Sequence, residues 1–121
     1  PTLSIPSGLD AQSISRDSSV VEAYIADPLI GTDARARWYV ELRGAQSRLL
    51  QEAHRIALPV LMLQAGQDRL ADPEASRDVF GRLGSPDKRW IDYEDLFHEL
   101  FNEPEKERVF GDVDSWISSR L

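Results

Sequence analysis

Residues 58–66 read "LPVLMLQAG". The stretch has strand length, is entered through Pro59 and closed by Gly66, and carries its apolar residues consecutively instead of at alternate positions. An apolar run without alternation predicts a strand covered on both faces, as in a parallel sheet flanked by helices. Downstream, "DPEASRDVFGRLG" (72–84) predicts a helix with Asp72 as N-cap and Pro73 in the first turn. Val79, Phe80 and Leu83 would face inward and Gly84 would end it. "KRWIDY" (88–93) is rich in aromatic and β-branched residues and predicts a second strand. In "NEPEKERVFGDVDSWISSRL" (102–121), Pro104 and the acids around it start a terminal helix, and Val109, Val113, Trp116 and Ile117 line one side of it. The order strand, helix, strand, helix makes an α/β chain with a right-handed βαβ unit and a closing helix.

Upstream of residue 58 the character is helical. In "GTDARARWYVELRGAQSRLLQEAHRI" (31–56), Trp38, Leu42, Ala45, Leu49, Ala53 and Ile56 recur in steps of three and four. That is the stripe of an amphipathic helix, with Thr32 or Asp33 as its N-cap. Gly44 weakens the helix interior by about 1 kcal/mol, which predicts a close neighbour there. His54 reads as a half-exposed helical side chain with no partner at helical spacing. "SRDSSVVEAYIADP" (15–28) predicts a shorter helix over about 17–26, with Ser15 or Asp17 at its start and Pro28 beyond its end. Residues 1–14, with Pro1, Pro6, Ser7 and Gly8, read as loop. No third strand is legible, and two strands do not make a stable parallel sheet. The expectation is the C-terminal part of a larger doubly wound sheet, or an edge paired with a second copy.

The 121 residues fit one small domain, and 41% apolar content suffices for a core. With a net charge of −7 and its 14 Lys and Arg scattered, the chain disfavours nucleic acid and anionic membrane surfaces as partners. The absence of cysteine excludes disulfides, thiolate metal sites and a thiol nucleophile, and suits a cytoplasmic protein. No apolar run approaches the roughly 20 residues of a membrane-spanning helix. The opening "PTLSIPSGLD" has no starting Met and no signal-peptide pattern, so a piece of something longer is expected.

Two ionisable residues follow the strands. Asp68 stands in "LQAGQDRLADP" and His98 in "YEDLFHELFNE", 98 − 68 = 30 residues apart, one βαβ unit. Active groups of open α/β sheets collect beyond the C-terminal ends of strands, and adjacent parallel strands bring both loops to one edge. There a carboxylate can orient an imidazole and stabilise its protonated form. Plainer readings stand beside this one. An Asp after Gly in a strand-to-helix loop is often a turn residue, and a lone loop His often has no role. Two His without HxH or HExxH spacing make a poor metal-ligand set.

These residues also carry a resemblance. "LSIPSGLDAQSISRDSSVVEAYIADPLI", "LPVLMLQAGQDRLADPEAS" and "DKRWIDYEDLFHELFNE" together resemble the C-terminal half of the monoglyceride lipase and lysophospholipase group of serine α/β-hydrolases. The resemblance implies the C-terminal part of an α/β-hydrolase fold, with a lid segment at 1–31 and core at 32–121. It further implies Asp68 as triad acid, His98 as triad base and Leu70 beside an acyl pocket. No metal or organic cofactor is implied. The implied substrate is an ester with a single acyl chain, such as a monoacylglycerol or lysophospholipid, approached through transient contact of the lid with a lipid interface. In this family order the nucleophilic serine precedes the acid, within a Gly-x-Ser-x-Gly elbow. No such elbow occurs in residues 1–121. Two of three triad members are therefore expected here, in a chain inactive by itself. The alternative is a non-catalytic interaction module, or a dimerising half-sheet, derived from that fold.

Overall fold

The computed structural model describes residues 3–121. Four strands and four α-helices follow one another, with short 3₁₀ turns between them. The apolar run forms a strand, as predicted. We number it β3 (Val60–Ala65), because two short strands precede it. It pairs in parallel with β4 (Lys88–Tyr93), from Val60 opposite Lys88 to Ala65 opposite Tyr93. The connection between them is α3 (Pro73–Arg82). Asp72 caps α3 as expected, its carboxylate accepting from Glu74 N at 2.9 Å and Ala75 N at 3.4 Å.

The last helix, α4 (Lys106–Ser118), closes onto β4. Its Val109 is fully buried, and its Asp112 accepts the Tyr93 hydroxyl at 2.8 Å. Burial, and then that carboxylate, push the Tyr93 phenol up to about 12. The core is built from Ala65, Tyr93, Leu96, Leu100 and Val109, with Leu63 and Ile91 packed against it. It joins the last residues of β3 and β4 to the loop after β4 and to α4.

The N-terminal third departs from the sequence reading in its short pieces. Residues read as loop contain β1 (Ser4–Pro6), which pairs antiparallel with β2 (Asp33–Arg35). Three-residue strands are too short to show a period, and this pair lies apart from the β3–β4 sheet. Because β2 occupies residues 33–35, the long helix α2 runs from Ala36 to Glu52 with Arg35 at its N-cap position, not Thr32 or Asp33. The shorter helix α1 (Ser18–Ala26) is capped by Asp17, which accepts from Ser19 N at 2.9 Å. Ser15 bonds no N–H of the helix itself; its buried hydroxyl accepts from the capping Asp17 N at 3.0 Å and donates to Glu103 at 2.7 Å.

One glycine behaves differently from expectation, and a second, Gly84, follows the end of α3 as expected. A Cβ on Gly44 meets nothing within 4 Å, so no neighbour packs there. Gly84 is required by contact and not by conformation. Among the described residues only Gly8 has a positive φ, whereas a Cβ on Gly84 would strike the backbone of His54. His54 itself lies in the 3₁₀ turn Ala53–Arg55 that follows α2, not in the helix.

The largest departure concerns cover. No residue of α2 is buried, and its stripe residues Trp38, Leu42 and Leu49 are 57%, 36% and 41% exposed. Val60, Leu61, Met62 and Leu63 of β3 are only half-buried. The strand expected to be covered on both faces has β4 as its one hydrogen-bonded neighbour among the described residues.

Candidate active site

β3 ends at Ala65 and β4 at Tyr93, and the loops leaving them are locked together. Gly66 N donates to Tyr93 O at 2.8 Å and Gln67 N to Leu96 O at 3.0 Å. The Gln67 side-chain amide donates to Glu94 O at 3.3 Å. The loops approach so closely that a Cβ on Gly66 would lie 2.7 Å from the Glu94 carbonyl carbon. Only glycine fits at that crossing. Across the same gap the Arg69 guanidinium sits 5.3 Å from the centre of the Phe97 ring.

This lock brings Asp68 and His98 together. His98 Nδ1 lies 2.9 Å from Asp68 Oδ2 and 3.1 Å from Oδ1. The Asp68 side chain is 6% exposed and that of His98 40%. Asp68 Oδ1 also accepts from Leu70 N at 2.8 Å and Ala71 N at 2.9 Å. One carboxylate therefore both anchors its own turn and holds the imidazole. Burial pushes the Asp68 carboxyl up, but the bonds from Ala71 N, His98 and Leu70 N outweigh it. The carboxyl ends below its ordinary value.

An ionised carboxylate only accepts hydrogen bonds, so Nδ1 of His98 carries the proton that lies between them. In the neutral ring the lone pair is then on Nε2. Among the described residues Nε2 has no hydrogen-bond partner, and the ring is open to solvent. This arrangement can take a proton at Nε2 and stabilise the resulting imidazolium through Asp68.

Three serine hydroxyls are engaged elsewhere. Ser15 donates to Glu103 at 2.7 Å, Ser76 to Asp72 O at 3.1 Å and Ser85 to Asp87 O at 2.9 Å. Among the described residues no serine hydroxyl bonds to His98. Leu70 is half-buried and lines an open groove of about 570 Å³ with Leu49, Leu50, Met62 and Val79.

Sequence reasoning missed Glu103. Its side chain is fully buried and receives four donors. Ser15 Oγ and Arg16 N reach Oε1 at 2.7 and 2.6 Å, while Arg16 Nε and Phe97 N reach Oε2 at 2.7 and 3.0 Å. Burial pushes the Glu103 carboxyl up, and Arg16, Phe97 and Ser15 together bring it below its ordinary value. Its only sequence signal, an acid beside Pro104, equally describes a solvated first-turn residue.

A family model described as "Serine aminopeptidase, S33" matches residues 1–105. The chain belongs to this family. Among individual relatives of this serine hydrolase family member, the monoacylglycerol lipase of Mycolicibacterium smegmatis is 40% identical over 119 residues, covering 93% of this chain and 41% of that protein. Phospholipase YtpA of Bacillus subtilis is 36% identical over 111 residues, covering 91% of this chain and 43% of that protein. The crystal structure of the Paleococcus ferrophilus monoacylglycerol lipase superposes with a TM-score of 0.93 at 33% identity, over 100% of this chain and 48% of that one. The helices and the parallel β3–β4 pair are thus part of an α/β-hydrolase fold. The chain spans about two fifths of the length of these two curated relatives.

Proposed function

We propose that this chain is the part of a serine ester hydrolase that supplies the acid and base of its triad, acting on monoacylglycerol- or lysophospholipid-type esters. The observation that carries this is the Asp68–His98 pair, held at 2.9 Å with the imidazole part-exposed. In this mechanism a serine outside residues 1–121 attacks the ester carbonyl carbon and passes its proton to His98 Nε2. Asp68 stays ionised and stabilises the imidazolium. As the tetrahedral adduct collapses, His98 returns the proton to the leaving alcohol. Water then attacks the acyl-enzyme, its proton taken by His98, and the serine is released with the free acid. Backbone N–H groups near the serine would hold the oxyanion.

Three observations support a nucleophile from outside this stretch. Among the described residues no serine hydroxyl bonds to His98, the relatives are more than twice as long, and α2 and β3 present an uncovered apolar face. We assign that face to the N-terminal half of the protein. Without it, residues 1–121 are inactive. Residues 1–31 serve as the lid region, in transient contact with the lipid interface, and 32–121 as the core part. Leu70 contacts the acyl chain, its place beside the site being set by the bond from its N–H to Asp68 Oδ1 at 2.8 Å. The family description points to peptide substrates, but the lipase and phospholipase names of the relatives favour esters.

The test is turnover of a p-nitrophenyl ester and of a monoacylglycerol by the full-length protein. His98→Ala should lower kcat on the order of a million-fold with circular dichroism unchanged. Wild-type turnover in that variant would remove the catalytic assignment.

A further inference from the structure

We propose that Glu103 is a positioning residue for His98, clamping the base loop to the segment Ile14–Arg16; this rests on the hydrolase assignment above. Asp68 fixes the imidazole ring at Nδ1, but the ring's place also depends on its backbone. That backbone is held on both sides by residues far away in sequence. Phe97, immediately before His98, donates its N–H to Glu103 Oε2 at 3.0 Å. Glu99, immediately after, donates its N–H to Ile14 O at 2.8 Å. Ser15 and Arg16, the next residues along from Ile14, supply the other three donors to the same Glu103 carboxylate. Segment 14–16 and Glu103 therefore grip the base loop from either side of His98.

The chemistry of the clamp requires the carboxylate itself. Four donors converge on two oxygens, and no acceptor faces them. A glutamine would keep the shape but present N–H to N–H at one of its ends. An acid serving only to start α4 would sit in water, as Glu105 largely does. Glu103 instead is wholly buried, a costly placement for a charge unless all its partners are in place. The clamp also makes the N-terminal segment, which leads into α1, part of what sets the base.

The experiment is steady-state kinetics of the full-length protein with p-nitrophenyl butyrate, at a temperature where each variant is fully folded. Glu103→Gln should lower kcat about 10- to 100-fold, the cost of displacing a reacting group by about 1 Å, with KM changed less than about 2-fold. The same substitution in an Asp68→Asn background should cost less than about 2-fold more, because the pair it serves is already broken. Unchanged kcat in Glu103→Gln, or the same fold-loss in both backgrounds, would overturn the proposal. Should Glu103→Gln not fold, Arg16→Met frees the oxygen that holds Phe97 and should lower kcat about 5-fold; wild-type kcat there would overturn it equally. His98→Ala run in parallel separates the two ideas. An active His98→Ala enzyme removes the hydrolase assignment and this one with it. An inactive His98→Ala beside a fully active Glu103→Gln removes this one alone.

Discussion

At Asp68 a single carboxylate accepts from Leu70 N, Ala71 N and His98 Nδ1, so its turn and its partner are set by the same two oxygens. Replacing it with asparagine keeps the turn acceptor but offers Nδ1 the wrong tautomer, and kcat of the full-length protein should fall about 10⁴-fold. Glu103 carries a different consequence. Its folded-state carboxyl lies below its ordinary value, so around pH 4 the unfolded chain binds a proton that the folded chain does not. The stability it contributes is complete above its unfolded value and is lost as pH falls through the depressed folded one. At pH 7 Glu103→Gln should destabilise by about 3 kcal/mol, the low end for a broken buried pair because Arg16 keeps some water contact. Thermal unfolding of both proteins from pH 7 to pH 3 should show that gap closing with acid. A pH-independent gap would mean that the charge is not what stabilises. Asp68 and His98 were legible in the sequence because a strand end announces its loop. Glu103 was not, because its burial is made by Ser15 and Arg16, 88 and 87 residues away.

Among the elements, length decided what could be read. β3, α3, β4 and α4 each run long enough for a period or an apolar run to emerge, and each forms near its expected bounds. β1 and β2 are three residues each and exist through their pairing with each other, which no local pattern encodes. Glycines make the same distinction. Gly66 and Gly111 look alike in sequence, yet a Cβ at Gly66 would overlap the Glu94 backbone while one at Gly111, inside α4, meets nothing. Gly66→Ala should therefore cost about 1–3 kcal/mol or more through forced backbone movement and separate the loops that carry Asp68 and His98. Gly111→Ala should stabilise by about 0.5–1 kcal/mol through helix propensity. Urea unfolding of the two variants of the full-length protein reads both signs, and a neutral Gly66→Ala would show the loops are not in contact.

For the whole molecule, the uncovered apolar stripe of α2 and the half-buried β3 decide behaviour in solution. Trp38, Tyr39, Val40 and Leu58 are each more than half exposed, an apolar surface of the kind that marks an interface. Among the described residues no helix is long and apolar enough to cross a membrane. Light scattering should find residues 1–121 alone self-associating and the full-length protein monodisperse. A 121-residue monomer that unfolds cooperatively would show that this face needs no cover, and a discrete dimer in both would favour an interaction module over a catalytic half. The sequence showed that the sheet lacked neighbours, but not which face would stay open, since that depends on how α2 lies against α3 and β3.

The most direct test of the central assignment is covalent labelling of the full-length protein with a fluorophosphonate, followed by peptide mapping. The label should fall on one serine outside residues 1–121, and His98→Ala should slow its attachment by orders of magnitude while leaving the fold intact. Label on a serine within residues 1–121, or attachment at the wild-type rate without His98, would contradict it.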